Sequence, residues 1–547
     1  MHASMQSAAI VGTRAHPVEV QVDLSLGLPS FFLVGLPDAA CTDAKVRCGT
    51  ALRNQGYELG SKRVTVNLAP ADLRKEGAVF DLPIALGLLA AAGQLAGDKA
   101  AGVLVVGELS LTGEVMPARG VLPVALLARR MGIRRLIVPL ANAGEGALVE
   151  GLDVFGVSTL REAAELISGQ RTIAPATPGE PVESLDGPLD LLDIRGQALC
   201  KRALEIAAAG GHNLLLSGPP GSGKTLLARR LPGLLPPLTF EESIETTSLW
   251  SIAGRLPRGA GLLSERPFRA PHHTISAAGL VGGGSPPRAG EITLAHNGVL
   301  FLDELPEFSR LSLEALRQPL EEGELSIVRL RGEAQLPARF MLVGAMNPCP
   351  CGHHSDRHPG RCRCSLSARE LYRRRVSGPI LDRIDLYSEA PALTSHELTD
   401  LPQGDPTAQV RARVIEARDR QRHRYSKLAN TRTNAQLRGR QLRELVRPTE
   451  TALALLAQTV SHHGLSARAH DRLLKVARTI ADLAGSESIE PQHVAEASMH
   501  RQPERGLMPP ELPPVSEAER QRALLRARGL THLSGVVPES AVTEENT

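Results

Sequence analysis

The sequence predicts an α/β protein with a doubly wound parallel sheet in the middle of the chain, a small helical domain after it and an α+β block before it. Three observations lead there. Between residues 190 and 395, short apolar runs end in Gly-rich or polar residues ahead of helical segments, the layout of a doubly wound sheet. Between 396 and 502, apolar residues fall at helical spacing, as in Leu453, Leu455 and Leu456 and again in Leu473, Leu474, Val476 and Ile480. Between 1 and 171, strand-period alternation takes turns with helical runs.

In chain order, Val18, Val20, Val22 and Leu24 alternate with polar neighbours, and Arg63 to Leu68 repeats the pattern. Gly102-Val-Leu-Val-Val-Gly107 reads as a buried strand, and Leu82–Leu95 and Leu122–Met131 read as helices. Residues 172–189 are rich in Pro and small residues, lack apolar periodicity and read as a linker. Residues 503–547, with Pro509, Pro510, Pro513 and Pro514 and one helical stretch near 517–528, read as a mobile C-terminal tail.

A chain of 547 residues holds roughly three to four domains. With 42% hydrophobic and 22% charged residues it is globular rather than disordered. A net charge of +3 excludes a surface coated with positive charge and leaves local basic patches to meet nucleic acid. The longest apolar stretch, Leu82 to Ala92, is interrupted by Pro83 and too short to span a bilayer, so no membrane is expected. The start lacks the basic and apolar regions of a secretory signal, so a cytoplasmic location is expected and the seven cysteines read as thiols or metal ligands.

The strand-like His212-Asn-Leu-Leu-Leu-Ser runs into Gly218-Pro219-Pro220-Gly221-Ser222-Gly223-Lys224-Thr225 and a helical Leu-Leu-Ala-Arg-Arg. This is G-x-x-x-x-G-K-T in the strand-loop-helix setting a phosphate cradle needs. The glycines let backbone N–H groups turn toward phosphate oxygens, and the helix N-terminus adds partial positive charge. Lys224 reaches the terminal phosphates of ATP, and Thr225 offers a hydroxyl to Mg²⁺. Downstream, the apolar run Gly298 to Leu302 ends in Asp303 and Glu304. Asp303 would hold Mg²⁺ through water and Glu304 would polarise the attacking water, although such a pair alone can also be a helix cap. A third apolar run, from Phe340, ends in Asn347, an amide able to orient the same water.

Together with Phe268-Arg-Ala-Pro-His-His, Gly290 to Phe308 and Leu381-Asp-Arg-Ile-Asp, these motifs resemble AAA+ ATPases of the magnesium-chelatase-like group. Within it, Leu28-Pro-Ser-Phe-Phe-Leu-Val-Gly-Leu-Pro-Asp and Val66-Asn-Leu-Ala-Pro-Ala-Asp-Leu-Arg-Lys-Glu-Gly resemble the ComM (YifB-like) proteins, so the resemblance covers nearly the whole chain. It implies a hexameric DNA motor that drives branch migration during recombination of incoming DNA in natural transformation. It makes Asn347 sensor 1, Arg383 an arginine finger on a neighbour's ATP and Arg468 sensor 2. The helical part becomes a lid, and Leu192 to Gly196 flanks the adenine.

Two insertions are candidates for gripping DNA. The first, Gly279 to Arg288, carries Gly282, Gly283 and Gly284, which permit close backbone approach to a ligand or form a surface loop. The second, Leu325 to Leu336, reads as a β-hairpin turning near Gly332 with Arg329 and Arg331 at its tip. In related ATPases such elements line a central pore, where arginines repeated around a ring form a non-specific collar for phosphates; the bland reading is a solvated turn. The basic run Arg411 to Lys427 reads as a solvated or subunit-contacting helix.

Cys349, Cys351, Cys362 and Cys364 could supply a four-thiolate Zn²⁺ site, with His353, His354 and His358 as substitutes, or form a loop without metal. Cys41, Cys48 and Cys200 read as core residues. The first block resembles the proteolytic domain of Lon in Lys75-Glu76-Gly77 and Gly107 to Pro117, but Val79 stands at the nucleophile position and Leu122 at the partner-lysine position. Neither side chain can serve acyl transfer, so binding or assembly is expected there and no peptidase activity. The leading reading is an ATP-driven DNA translocase. The alternatives are a chelatase-like motor subunit remodelling a protein partner, and a scaffold whose hydrolysis times assembly.

Overall fold

The computed structural model describes residues 1–95, 102–182, 189–283, 288–329, 332–354, 361–393, 404–428, 431–463 and 465–500. The tail 503–547, linker residues 183–188, Gly284, Arg331 and His358 lie outside the described residues.

The first block is a seven-stranded mixed sheet in the order Ser30–Val34, Arg63–Ala69, Arg14–Ser25, His2–Val11, Val103–Val105, Arg135–Pro139, Asp153–Val157. His2–Val11 and Arg14–Ser25 pair antiparallel from His2↔Asp23 to Val11↔Arg14. Their period-2 pattern sends Val18, Val20 and Val22 into the core, where all three are fully buried. The buried helix Asp81–Ala91 crosses this sheet and tolerates Pro83 because it lies in the first turn. At the crossing, a Cβ on Gly87 would stand 2.8 Å from Val22 Cγ2. Leu122, in the helix Val121–Arg130, is fully buried among apolar side chains, and Cys41, Cys48 and Cys200 are fully buried as expected.

The expected linker is not without regular structure: Glu180–Val182 forms a strand that pairs in parallel with Ala260–Leu263. The pairing is a backbone approach, so close at Gly179 that a Cβ would stand 2.4 Å from the Gly259 carbonyl. Such contact leaves no side-chain periodicity to read. The first block is joined to the middle of the chain through the helix Phe240–Ile252, where Ser251 Oγ accepts from the Gly120 N–H at 2.9 Å and donates to Glu145. Burial raises the Glu145 carboxyl above its usual range, against these hydrogen bonds.

The central sheet is wholly parallel, in the order Phe268–Arg269, Val299–Leu302, Met341–Met346, Leu214–Ser217, Leu386–Glu389. Val299–Leu302 and Met341–Met346 are buried at every position, as strands covered on both faces must be. Beyond it come the helices Thr407–Arg424, Gly439–Leu445, Glu450–His463, Ala467–Leu483 and Pro491–Met499. Val414, Val476, Ala477 and Ile480 share one core with Leu204 and Ala207 of the helix Ala198–Gly210. Leu453, expected inside on spacing, is exposed, and its neighbours Ala452 and Leu456 take the inward face.

Asp482 ties this helical region together. It is buried, and its carboxylate accepts from Arg478 at 2.9 Å, from Asn434 at 2.9 Å and from Arg424 at 3.0 Å. Asp482→Ala leaves a buried guanidinium uncompensated, so a loss of about 3 kcal/mol is expected, read as a lowered melting temperature by calorimetry.

Candidate active site

Three strand ends of the central sheet converge on one place. From Leu214–Ser217, the chain turns through Gly218 to Gly223 into the helix Lys224–Leu234. Gly221 and Gly223 have φ of +78° and +87°, in the left-handed region that favours glycine. Gly218 is required for a different reason, since a Cβ there would stand 2.2 Å from the Ala390 carbonyl. The loop closes with the Ser222 N–H donating to the Pro219 carbonyl at 3.3 Å.

Lys224 is buried, and its ammonium donates to the carbonyls of Gly218 at 2.7 Å and Pro219 at 2.9 Å and to Asn347 Oδ1 at 3.3 Å. Burial lowers its pKa, and the nearby carboxylates of Asp303 and Glu304 oppose that shift. Thr225 Oγ1 donates to Asp303 Oδ2 at 2.7 Å. The predicted phosphate-loop, acidic and amide residues therefore stand together, although Lys224 and Asn347 are 123 positions apart in the chain. These donors suit a triphosphate: a buried ammonium over a glycine-shaped loop, a hydroxyl paired with a carboxylate, and a Ser222 hydroxyl buried without a hydrogen-bond partner among the described residues.

Glu304 has φ of +53°, a left-handed conformation costing on the order of 1–3 kcal/mol in a non-glycine residue. The Glu304 N–H donates to Asp303 Oδ1 at 3.0 Å, and the half-exposed Glu304 side chain meets His273 Nδ1 at 3.3 Å. His273 lies in the motif Phe268 to His273, where the order of residues alone gives it no role. Gln197, which no motif marks, is a buried residue in left-handed conformation whose amide donates to the carbonyls of Ser222 at 3.1 Å and Pro391 at 2.8 Å. Gln197 thereby ties the segment expected to flank adenine to the phosphate loop.

Arg383 and Arg468 belong to a separate cluster. The chain before Arg383 forms a short helix, Gly378–Leu381, with Pro379 in its first turn. Neither Asp382 nor Asp385 pairs with Arg383, which donates instead to Glu321 and to the Pro379 carbonyl. Asp385 faces His212 at 3.4 Å, while Asp382 receives Arg468 at 3.4 Å and Arg472 at 3.3 Å. Arg472, unnoticed in the sequence, is buried and also caps the Ile384 carbonyl at 3.2 Å.

The four clustered cysteines converge, with all four Sγ atoms within 4.8 Å of one another. Cys349 Sγ lies 3.4 Å from Cys351 Sγ and 3.7 Å from Cys362 Sγ. The His353 backbone N–H lowers the Cys351 thiol to about 6, and burial pushes Cys349 up to about 12. His354 is engaged by Arg369 at 2.8 Å.

Of the candidate DNA residues, Gly282 and Gly283 pair with Ala289 and Arg288 in a short antiparallel ladder. Glu324–Arg329 pairs with Gly332–Pro337 as the expected hairpin, in register Arg329↔Gly332. Among the described residues, no helix is long and apolar enough to cross a membrane.

Comparison with known proteins gives three consecutive family matches. Residues 20–142 match "Subunit ChlI of Mg-chelatase", 190–398 "Magnesium chelatase, subunit ChlI" and 404–501 "Magnesium chelatase, subunit ChlI C-terminal". The competence protein ComM of Haemophilus influenzae is 46% identical over 504 residues, covering 91% of this chain and 97% of its own. The uncharacterized protein YifB of Salmonella typhimurium is 43% identical over 507 residues, covering 92% and 98%. Lon protease 2 of Bacillus subtilis is 28% identical over 200 residues, a likeness confined to 31% of this chain and 35% of its own. With relatives of this identity aligned over nine-tenths of its length, the chain belongs to the ComM/YifB-type, magnesium-chelatase-like family.

Proposed function

We propose that this protein is a ring-forming ATPase, most simply a hexamer, that moves along DNA and promotes branch migration in recombination. The observation that carries the reading is the convergence of Lys224, Asn347 and the Thr225–Asp303 pair at three adjacent strand ends. The Haemophilus relative is named a competence protein, which favours DNA as the substrate.

In this reading the phosphate loop and Lys224 bind the β- and γ-phosphates, exchanging the carbonyls that now hold the ammonium for phosphate oxygens. Thr225 and Asp303 would hold Mg²⁺, which supplies positive charge to those oxygens. Glu304 accepts a proton from the attacking water, and Asn347 orients that water beside Lys224. Arg383 serves a neighbouring subunit's ATP, Arg468 acts as sensor 2, and Cys349, Cys351, Cys362 and Cys364 hold Zn²⁺. The first block, with Val79 and Leu122 in place of a nucleophile and its partner, serves assembly or binding.

Steady-state ATP hydrolysis with forked or four-way DNA, against DNA-free controls, tests the reading. Stimulation supports the motor, and equal rates with and without DNA would favour a chelatase-like subunit or a scaffold. In this reading the hairpin Glu324–Pro337 and the glycine ladder at Gly282 and Gly283, with the glycine run continuing to Gly284 in sequence, line the DNA path. Arg329→Ala with Arg331→Ala is then expected to weaken DNA binding and reduce its salt slope by about one to two per subunit engaged, with ATP affinity of the DNA-free protein kept. An unchanged slope in a salt titration places the path elsewhere.

A further inference from the structure

The cysteine cluster is built onto the phosphate loop. The segment that carries its first pair meets the loop at three points. The Met346 carbonyl accepts from the Gly218 N–H at 3.2 Å, and Asn347 Oδ1 accepts from Lys224 at 3.3 Å. The turn at Gly352 lies so near Pro220 that a Cβ would stand 2.5 Å from Pro220 Cδ. Gly352 has φ of +81°, and its N–H donates to the Cys349 carbonyl at 2.9 Å. The turn that brings Cys351 back to Cys349 is thus the one that touches Pro220. The second pair, Cys362 and Cys364, directly precedes the helix Leu366–Arg374, capped by Ser365 Oγ accepting from the Ala368 N–H at 3.2 Å. That helix places the Tyr372 hydroxyl near the Asn347 N–H. Arg375, at its C-terminal end, pairs with Glu307 at 2.8 Å, close beyond Glu304.

We propose that Cys349, Cys351, Cys362 and Cys364 hold one Zn²⁺ whose binding clamps the Gly352 turn onto Pro220, so that metal occupancy sets the affinity of the phosphate loop for nucleotide. The inference rests on the ATP reading of Gly218 to Thr225. Zn–S bonds of ~2.3 Å in a tetrahedron place sulfurs ~3.8 Å apart. The distances of 3.4 and 3.7 Å lie just below that value, and all four sulfurs stand within 4.8 Å of one another. Two C-x-C pairs separated by a loop satisfy a tetrahedron when the loop doubles back, as the Gly352 turn does. Four thiolates on one divalent ion carry net negative charge, and Arg373 stands near Cys349 with its Nε buried and lacking an acceptor among the described residues. Without the ion, four sulfurs this close have no reason to stay converged. The helix Leu366–Arg374 and the Gly352 turn then lose their common tie, and Pro220 loses its support.

The test uses the full-length protein, its zinc counted by mass spectrometry and its loop probed with a fluorescent ADP analogue, which reads binding without hydrolysis. About one Zn per chain is expected, with chelation weakening analogue binding by about tenfold, or ~1.4 kcal/mol, and zinc restoring it. Cys364→Ser is expected to lose both metal and affinity. Pro220→Ala leaves all four thiols and the Gly352 turn in place and is expected to keep zinc while making analogue affinity independent of chelation. Protein without zinc, or with iron and sulfide instead, overturns the site. Zinc-bearing protein whose analogue affinity is unchanged by chelation overturns the clamp and leaves the ATP reading standing. Zinc-bearing protein that binds no analogue overturns the ATP reading and the clamp with it.

Discussion

Lys224→Ala should abolish nucleotide binding, while Glu304→Gln should bind ATP as tightly as the parent and fail to hydrolyse it. The two residues reach the same site from different strands and do separable work. Lys224 is a buried ammonium already held against the loop carbonyls and Asn347, and no other lysine is placed over the cradle among the described residues. Removing it takes away the charge that meets the terminal phosphates and empties the contact with Asn347. Glu304 stands outside the cradle, half-exposed, held by a left-handed backbone and the neighbouring His273. Its neutral isostere keeps the shape and loses the base, so binding survives and turnover falls by about 10²- to 10⁴-fold. Equilibrium binding of a labelled nucleotide and single-turnover hydrolysis measure the two effects. Equal loss of binding in both variants would refute this division of labour.

Arg383→Ala should retain ATP binding and ring assembly and lose hydrolysis by ~10³-fold or more, the effect of a finger supplied in trans. A guanidinium can span the charge that spreads over phosphate oxygens in the transition state. In the isolated chain Arg383 donates to Glu321 and to the Pro379 carbonyl, away from its own loop, where the partners of Lys224 are Gly218, Pro219 and Asn347. A finger parked on Glu321 has to exchange that carboxylate for a neighbour's phosphate. Mixing Arg383→Ala with Lys224→Ala should therefore restore part of the activity, since one subunit then offers an intact pocket beside another's intact finger. Mixtures that co-assemble and stay inactive at every ratio would return Arg383 to an intrachain role with Glu321.

The phosphate loop, the acidic pair and the strand ending in Asn347 were legible because each is a contiguous run. A buried strand, a turn and a helix start fall within a dozen residues, and their chemistry needs those residue types at that spacing. In the first block the strands Arg14–Ser25, Arg63–Ala69 and Val103–Val105 and the helices Asp81–Ala91 and Val121–Arg130 were legible for the same reason, down to Val18, Val20 and Val22 turned inward by a period of two.

The sequence by itself determined the doubly wound core, the phosphate cradle, the four thiols and the kinship of the chain. The tertiary structure decided that Asn347 meets Lys224, that Arg383 rests on Glu321 rather than an adjacent aspartate, and that Gln197 and Arg472 brace the segments around them. It also decided that Glu180–Val182 is a strand and that the cysteine turn leans on Pro220. These contacts join backbone atoms or single side chains across long stretches of chain. They depend on sheet order and on close approach at glycine, and neither leaves a periodic or local mark in the order of the residues.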